Sequence, residues 1–332
     1  MKTKTPPLPL IIITHTLPED WMTSLTGRIR AVIGPLDATR LAPRLEAHLA
    51  EAEGLFCLLT IPVQKALLDR MPRLRVVSNM AAGVDNVDVS ECTRRGIPVG
   101  NTPGALTDAT ADLTMALLLS AARRLPESAR DAREGRWKTW SPGGWLGADL
   151  RDATLGIVGM GKIGRAVAER ARGFGMRIVF CDPSAGADGR PPLLDATLLS
   201  FDQLLRMSDF VSLHCPLTPE TRGLMDESAL RKMKPTAILI NAARGPIVDT
   251  IALTRALAEG QIAAAALDVT DPEPLPTDHP LYKLPNCLIV PHIGSATHGT
   301  RRKMAEMACE NLLAGLEGRK LPYCVNPEVY EP

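Results

Sequence analysis

The sequence predicts an α/β protein of two domains, each a β/α series around a parallel sheet. Three observations point there. Short apolar runs alternate with helical patterns along most of the chain. One such run, at residues 154–158, leads directly into a glycine-rich turn and a helix. The length of 332 residues corresponds to two domains, at roughly 150 residues each.

The first series occupies residues 1 to about 100. Strands are expected at 10–14, 55–59 and 74–79, with a short fourth opening at 98–99, and helical stretches at 42–53 and 64–71. Thr107, Asp108 and Thr110 then supply capping side chains, and 111–122 is apolar nearly all round, the pattern of a helix buried on several sides. A loop rich in Trp, Gly and Pro follows, including Trp137, Trp140 and Trp145.

In the second series strands are expected at 154–158, 177–181, 210–215, 237–241, 263–269 and 287–290. Helices fall at 162–173, 201–207, 227–232 and 250–259. Six strands alternating with helices imply a parallel sheet covered on both faces. The last stretch, 300–317, reads as an amphipathic helix stopped by Gly318 and Pro322. It is expected to return to the first series, giving a discontinuous domain (1–102 with 298–332) around a second (103–297).

Composition excludes several classes. With 38 Lys+Arg against 37 Asp+Glu the net charge is +1, which argues against a broad basic surface for nucleic acid. Aromatics at 4% leave little for base stacking. No apolar run approaches the roughly 18 residues of a membrane span. The run Leu10-Ile11-Ile12-Ile13 is too short for a secretory leader and reads as a buried first strand. The seven cysteines are odd in number and lack CxxC or Cys/His ligand spacing, so a reduced, cytoplasmic setting without a bound metal is expected.

Gly159-Met160-Gly161-Lys162-Ile163-Gly164 forms G-x-G-x-x-G between an apolar strand and a helix, and Asp182 ends the next strand. That context specifies a dinucleotide site. Gly159 makes the tight turn, Gly161 admits a pyrophosphate to the backbone, and Gly164 lets helix and strand approach. Asp182 suits the ribose hydroxyls of NAD and repels the 2′-phosphate of NADP, and no Arg is adjacent to it. Adenine contacts are expected at Cys215 and Pro216.

Three polar side chains follow strands of the second series, at the ends where parallel sheets bind ligands. Arg244 offers a rigid fork to a carboxylate and its neighbouring carbonyl. His292 is the candidate proton donor, and a glutamate such as Glu273 paired with it would orient the ring and favour the protonated form that a ketone reductase needs. Singly, each is explained as a surface arginine, a structural histidine or a solvated carboxylate. Together they form the set needed to reduce a 2-oxo acid. The other histidines, at 15, 48, 214, 279 and 298, lack this setting.

The chain resembles the D-isomer specific 2-hydroxyacid dehydrogenases. The resemblance rests on residues 79–87 (NMAAGVDNV), 101–113 (NTPGALTDATADL), 156–164, 214–221 (HCPLTPET), 240–249 (INAARGPIVD), 267–274 (LDVTDPEP) and 291–297 (PHIGSAT), in the family's order. It implies two Rossmann-like domains, a flavodoxin-like substrate domain and an inserted NAD-binding one. It also implies the catalytic trio Arg244, Glu273 and His292. Substrate contacts are implied at Leu59, Ala82, Gly83, Arg244, Trp140 and Ser295. Cofactor contacts are implied at Thr110, at Gly161, Lys162 and Ile163 in the glycine loop, and at Thr221, Ala242, Asp268, His292 and Gly294. Thr270-Asp271-Pro272 departs from the family's more usual aromatic and Glu.

Residues 135–140 (GRWKTW) and 294–298 (GSATH) are most similar to the glyoxylate/hydroxypyruvate reductases. There the tryptophan at the position of Trp140 reaches a partner subunit's active site, which implies a homodimer. The end of the chain at Pro332 disfavours the longer, regulated type of phosphoglycerate dehydrogenase. The expected activity is thus NAD(P)H-dependent reduction of glyoxylate or hydroxypyruvate. The alternatives are dehydrogenases for D-lactate, D-glycerate, 2-ketogluconate, phosphite or formate. A different class, a corepressor-like protein that senses the dinucleotide, also remains open.

Overall fold

A computed structural model of the chain describes residues 7–184 and 195–331. They form two compact units: one runs to Leu106 and resumes at Thr297, and the other is Thr107–Ala296.

The first unit is built on strands β1 (Leu10–Ile13), β2 (Arg30–Ile33), β3 (Gly54–Cys57), β4 (Val76–Asn79) and β5 (Val99–Gly100), in the order β2-β1-β3-β4-β5. All neighbours pair in parallel. β1, β3 and β4 are buried throughout, as strands covered on both faces must be. Successive side chains divide between two cores: Ile12 packs with Leu45, Leu68 and Cys92, and Ile11 and Ile13 with Phe56, Leu312 and Leu316. The sequence pattern does not predict strand β2, because its apolar run is only three residues long and its first half is exposed on the sheet edge. Helices α1 (Pro43–Glu46) and α2 (Lys65–Leu68) are single turns, shorter than the stretches 42–53 and 64–71. After α1 the chain tightens, with His48 and Leu49 donating to carbonyls three residues back. Helix α3 (Val89–Arg94) is capped by Asp88, which accepts from Glu91 N.

The second unit begins with α4 (Thr107–Ala122) and α5 (Leu125–Arg133) and continues with β6 (Thr154–Val158), α6 (Lys162–Gly173), β7 (Arg177–Cys181), β8 (Ala196–Leu198), α7 (Phe201–Met207) and β9 (Phe210–Leu213). It ends with α8 (Glu227–Lys232), β10 (Ile238–Asn241), α9 (Thr250–Ala258), β11 (Ala264–Leu267) and β12 (Cys287–Ile289). The sheet has seven strands where the pattern predicts six, in the order β12-β11-β10-β9-β6-β7-β8, all parallel. The extra one, β8, is a partly exposed three-residue edge. Between β6 and β9 the chain order reverses, which opens a crevice at the carboxyl ends of the strands.

Helix α10 (His298–Leu316) returns to the first unit. It is amphipathic only in its first half; from Asn311 to Leu316 every residue is buried. Gly315 makes this close seat possible, since a Cβ there would lie 2.5 Å from the Val76 side chain. The tail after α10 covers the free edge of β5: Val325 N donates to Val99 O at 2.8 Å, and the buried Asn326 accepts from Val99 N at 2.8 Å.

Candidate active site

In the second unit, β6 runs into Gly159, whose φ of 96° lies in the left-handed region open to glycine. A Cβ there would sit 2.6 Å from Cys215 N, and one on Gly164 2.2 Å from Gly159 O. A Cβ on Gly161, which caps α6, would meet nothing. The turn is thus closed where glycine serves packing and open where a phosphate would approach the amides. Lys162 and Ile163 start the helix.

Asp182 follows β7. Its Oδ2 accepts from Met160 N at 2.7 Å and its Oδ1 from Ser184 N at 2.8 Å, so the carboxylate also holds the glycine loop. Beyond β9, burial pushes the Cys215 thiol up to about 11. Thr221 closes that loop by donating to Pro216 O at 2.6 Å and accepting from Thr218 N at 2.8 Å. The preceding His214 has Nε2 2.8 Å from Ser212 Oγ and a buried Nδ1 without a partner among the described residues. Burial lowers its pKa to about 4. The open glycine turn, the helix amides and Asp182 fit a bound dinucleotide.

Arg244, Glu273 and His292 follow the three adjacent strands β10, β11 and β12. The buried Asn241 shapes the first turn: its Nδ2 donates to Arg244 O at 2.9 Å and its Oδ1 accepts from Ala243 N at 3.0 Å, with Ala242 between. Gly245 has no room for a side chain, since a Cβ would fall 1.8 Å from Thr270 O.

Asp268, 2% exposed, caps the His292 turn, with Oδ1 accepting from Ile293 N at 2.6 Å and Oδ2 from Gly294 N at 2.9 Å. Burial raises its pKa, opposed by these amides and by the nearby His292 ring. Gly294 O accepts from Thr110 Oγ1 at 3.2 Å, which ties the turn to α4. His292 itself holds φ at 51°, a strained value for a side-chain-bearing residue and one met at functional sites.

His292 Nδ1 lies 2.6 Å from Glu273 Oε1. A carboxylate only accepts, so Nδ1 carries the hydrogen and Nε2 is the end that exchanges a proton. Ser295 is partly buried in the next turn. Trp140 is 79% exposed on a loop without regular structure, together with Trp137 at 71%.

In the first unit, Leu59 stands 39% exposed just after β3, and Ala82 and Gly83 lie after β4. The amides of Ala82, Gly83 and Val84 have no acceptor among the described residues. Three consecutive unpaired donors form a ready site for an anion. Sequence reasoning named Ala82 and Gly83 but missed Asn79, Asn101 and Asn241, which shape these turns. The available signal was an Asn closing an apolar strand run, at 79 and 241.

Among the described residues no group of three His, Cys, Asp or Glu side chains could hold a metal, and no helix is long and apolar enough to cross a membrane.

A parallel sheet carrying a glycine turn, with a carboxylate-paired imidazole and an arginine at its strand ends, defines a dinucleotide-dependent oxidoreductase. Residues 115–294 match the D-isomer specific 2-hydroxyacid dehydrogenase, NAD binding domain. The chain is 46% identical to a glyoxylate reductase of Korarchaeum cryptofilum, over 97% of both proteins. It is 43% identical to the human glyoxylate reductase/hydroxypyruvate reductase, over 94% of this chain and 96% of that one. A crystal structure of a Thermus thermophilus protein superposes with a TM-score of 0.88 at 48% identity, covering 95% of this chain and 99% of that one. The chain belongs to the D-isomer specific 2-hydroxyacid dehydrogenases, and its cofactor is a nicotinamide dinucleotide.

Proposed function

We propose that the protein reduces glyoxylate or hydroxypyruvate to the 2-hydroxy acid, with NADH as reductant. The observation that carries this is the 2.6 Å pair of Glu273 and His292, one strand away from the Arg244 turn.

The bound dinucleotide supplies a hydride to the carbonyl carbon. Arg244 grips the substrate carboxylate and the adjacent carbonyl oxygen, which fixes the face that reacts. As that oxygen gains charge, His292 Nε2 donates a proton to it, and Glu273 holds the ring in place through Nδ1. The atoms balance: one hydride and one proton turn C=O into CH–OH. Ala82, Gly83 and Val84 offer the carboxylate backbone donors. Leu59, Ser295 and Trp140 limit substrate size, Trp140 from a partner subunit.

Within the unit Thr107–Ala296, the dinucleotide-binding one, Thr110, Gly159, Gly161, Lys162, Ile163 and Gly164 serve the pyrophosphate. Cys215, Pro216 and Thr221 face the adenine, and Ala242, Asp268, His292 and Gly294 the nicotinamide. NAD is preferred over NADP because each Asp182 oxygen keeps a lone pair for a ribose hydroxyl, and its charge repels a 2′-phosphate. A homodimer would cover the exposed Trp137, Trp140 and Leu146. Seven unpaired cysteines suit the cytoplasm.

The test is a panel of 2-oxo acids assayed with NADH and with NADPH. Glyoxylate and hydroxypyruvate should lead the panel, and Asp182→Ser should narrow the gap between the cofactors about tenfold, or roughly 1.4 kcal/mol. Negligible turnover throughout, with NADH-dependent capture of a protein partner, would replace this reading with dinucleotide sensing.

A further inference from the structure

The unpaired amides at 82–84 are held in place by a set of asparagines. In a planar trans peptide the carbonyl of one residue and the N–H of the next point to opposite sides. Fixing a carbonyl therefore aims the following amide. Ala81 O accepts from Thr102 N at 2.9 Å, Ala82 O from Asn101 Nδ2 at 2.8 Å, and Gly83 O from Asn79 Nδ2 at 3.0 Å. All three carbonyls are drawn into the protein, so the amides of Ala82, Gly83 and Val84 are turned the other way.

The two asparagines differ in their duties. Asn79 is fully buried, and its Oδ1 accepts from Cys57 Sγ at 3.4 Å and from Asn86 Nδ2 at 3.3 Å. Asn86 Nδ2 also reaches Ile61 O at 3.1 Å and Leu58 O at 3.3 Å, so the same network braces the segment that carries Leu59. Among the described residues the Asn101 side chain makes a single bond, to Ala82 O. Its backbone is tied separately, with N donating to Tyr323 O at 3.1 Å and O accepting from Asn311 Nδ2 at 3.0 Å. The Asn101 side chain can be changed without disturbing those bonds.

We propose that Asn101 and Asn79 are positioning residues for the substrate carboxylate: they orient the 82–84 amides into an anion site while touching no substrate themselves. The inference rests on the reading of these amides as carboxylate donors.

The test uses the full chain with NADH bound, comparing wild type, Asn101→Leu and Asn101→His. Leu keeps the bulk and loses the donor; His places Nδ1–H where Nδ2 was. The readouts are KM and kcat for glyoxylate, the Kd of the non-reacting analogue oxamate, and thermal midpoint. Asn101→Leu should raise KM and oxamate Kd about tenfold or more, the worth of one oriented hydrogen bond, with kcat within about threefold. Asn101→His should restore much of both. A folded Asn101→Leu with unchanged KM and oxamate affinity overturns the proposal while wild-type turnover stands. If wild type neither reduces glyoxylate nor binds oxamate, the carboxylate reading falls, and the positioning role with it.

Discussion

The two units share a plan, a parallel sheet with its working loops at the carboxyl ends of the strands, yet they equip those ends differently. After β10, β11 and β12 the loops present reactive side chains: Arg244, Glu273 and His292. After β4 the loop presents backbone, and its carbonyls are held by Asn79 at the end of β4 and Asn101 just after β5. Acid–base work needs a group whose protonation can change, which only a side chain supplies. Holding a carboxylate needs fixed donors, and peptide amides supply these without rotamer entropy. Both ends rely on buried asparagines, Asn241 and Asn79, to shape their turns.

The contrast is broken most severely at the reactive end. His292→Ala should lower kcat by roughly 10²–10⁴, the usual worth of a general acid, with dinucleotide affinity nearly unchanged. Steady-state kinetics and a binding titration decide it, and near-normal kcat would remove His292 from the chemistry. Arg244→Ala should lower kcat/KM by about 10² through both constants, because the guanidinium both binds and orients. An unchanged KM would transfer the anchoring role elsewhere.

Acid should sharpen the comparison, because each unit holds a histidine with a lowered pKa just after a strand. In the second unit His214 has its pKa lowered from 6.5 to about 4 by burial. In the first, His15 is also lowered by burial, with Nε2 2.8 Å from Ala38 O and Nδ1 2.8 Å from Thr14 Oγ1. A lowered histidine pKa favours the fold while the ring is neutral. For His214 that stability is complete above pH 6.5, falls as pH drops towards 4 and then levels off. For His214 the loss is at most about 3 kcal/mol. Denaturant titrations from pH 8 to 4 should show the decline, and His214→Asn should flatten it. An equal slope in the variant would place the acid sensitivity elsewhere. The smallest effect concerns the tail alone. Asn326→Ala strands the buried Val99 N and should cost about 2 kcal/mol without moving KM. A shift in KM at unchanged stability would contradict its purely structural role.

Much of this molecule was legible in its residues. Apolar runs separated by helical patterns foretold parallel sheets, because a strand covered on both faces must be apolar on both. The glycine turn and Asp182 were readable because they lie on one short strand–turn–helix–strand stretch, in which Gly159 takes a left-handed φ and Gly164 packs against Gly159 O. The misses share one cause, dependence on distant neighbours. The edge strands β2 and β8 exist because a neighbouring strand offers free hydrogen bonds, not because their own pattern demands it. The second half of α10 is buried all round because β3 and β4 lie beneath it.

By itself, then, the sequence determined the sheet type, the dinucleotide turn and the identity of the groups that perform the chemistry, since these follow from short-range pattern and side-chain type. Tertiary structure alone decided their geometry. Glu273 and His292, 19 residues apart, meet because β11 and β12 pair in parallel and end side by side. The 82–84 amides are left unpaired because Asn79 and the 101–102 segment, each brought there by its own strand, hold the carbonyls that precede them.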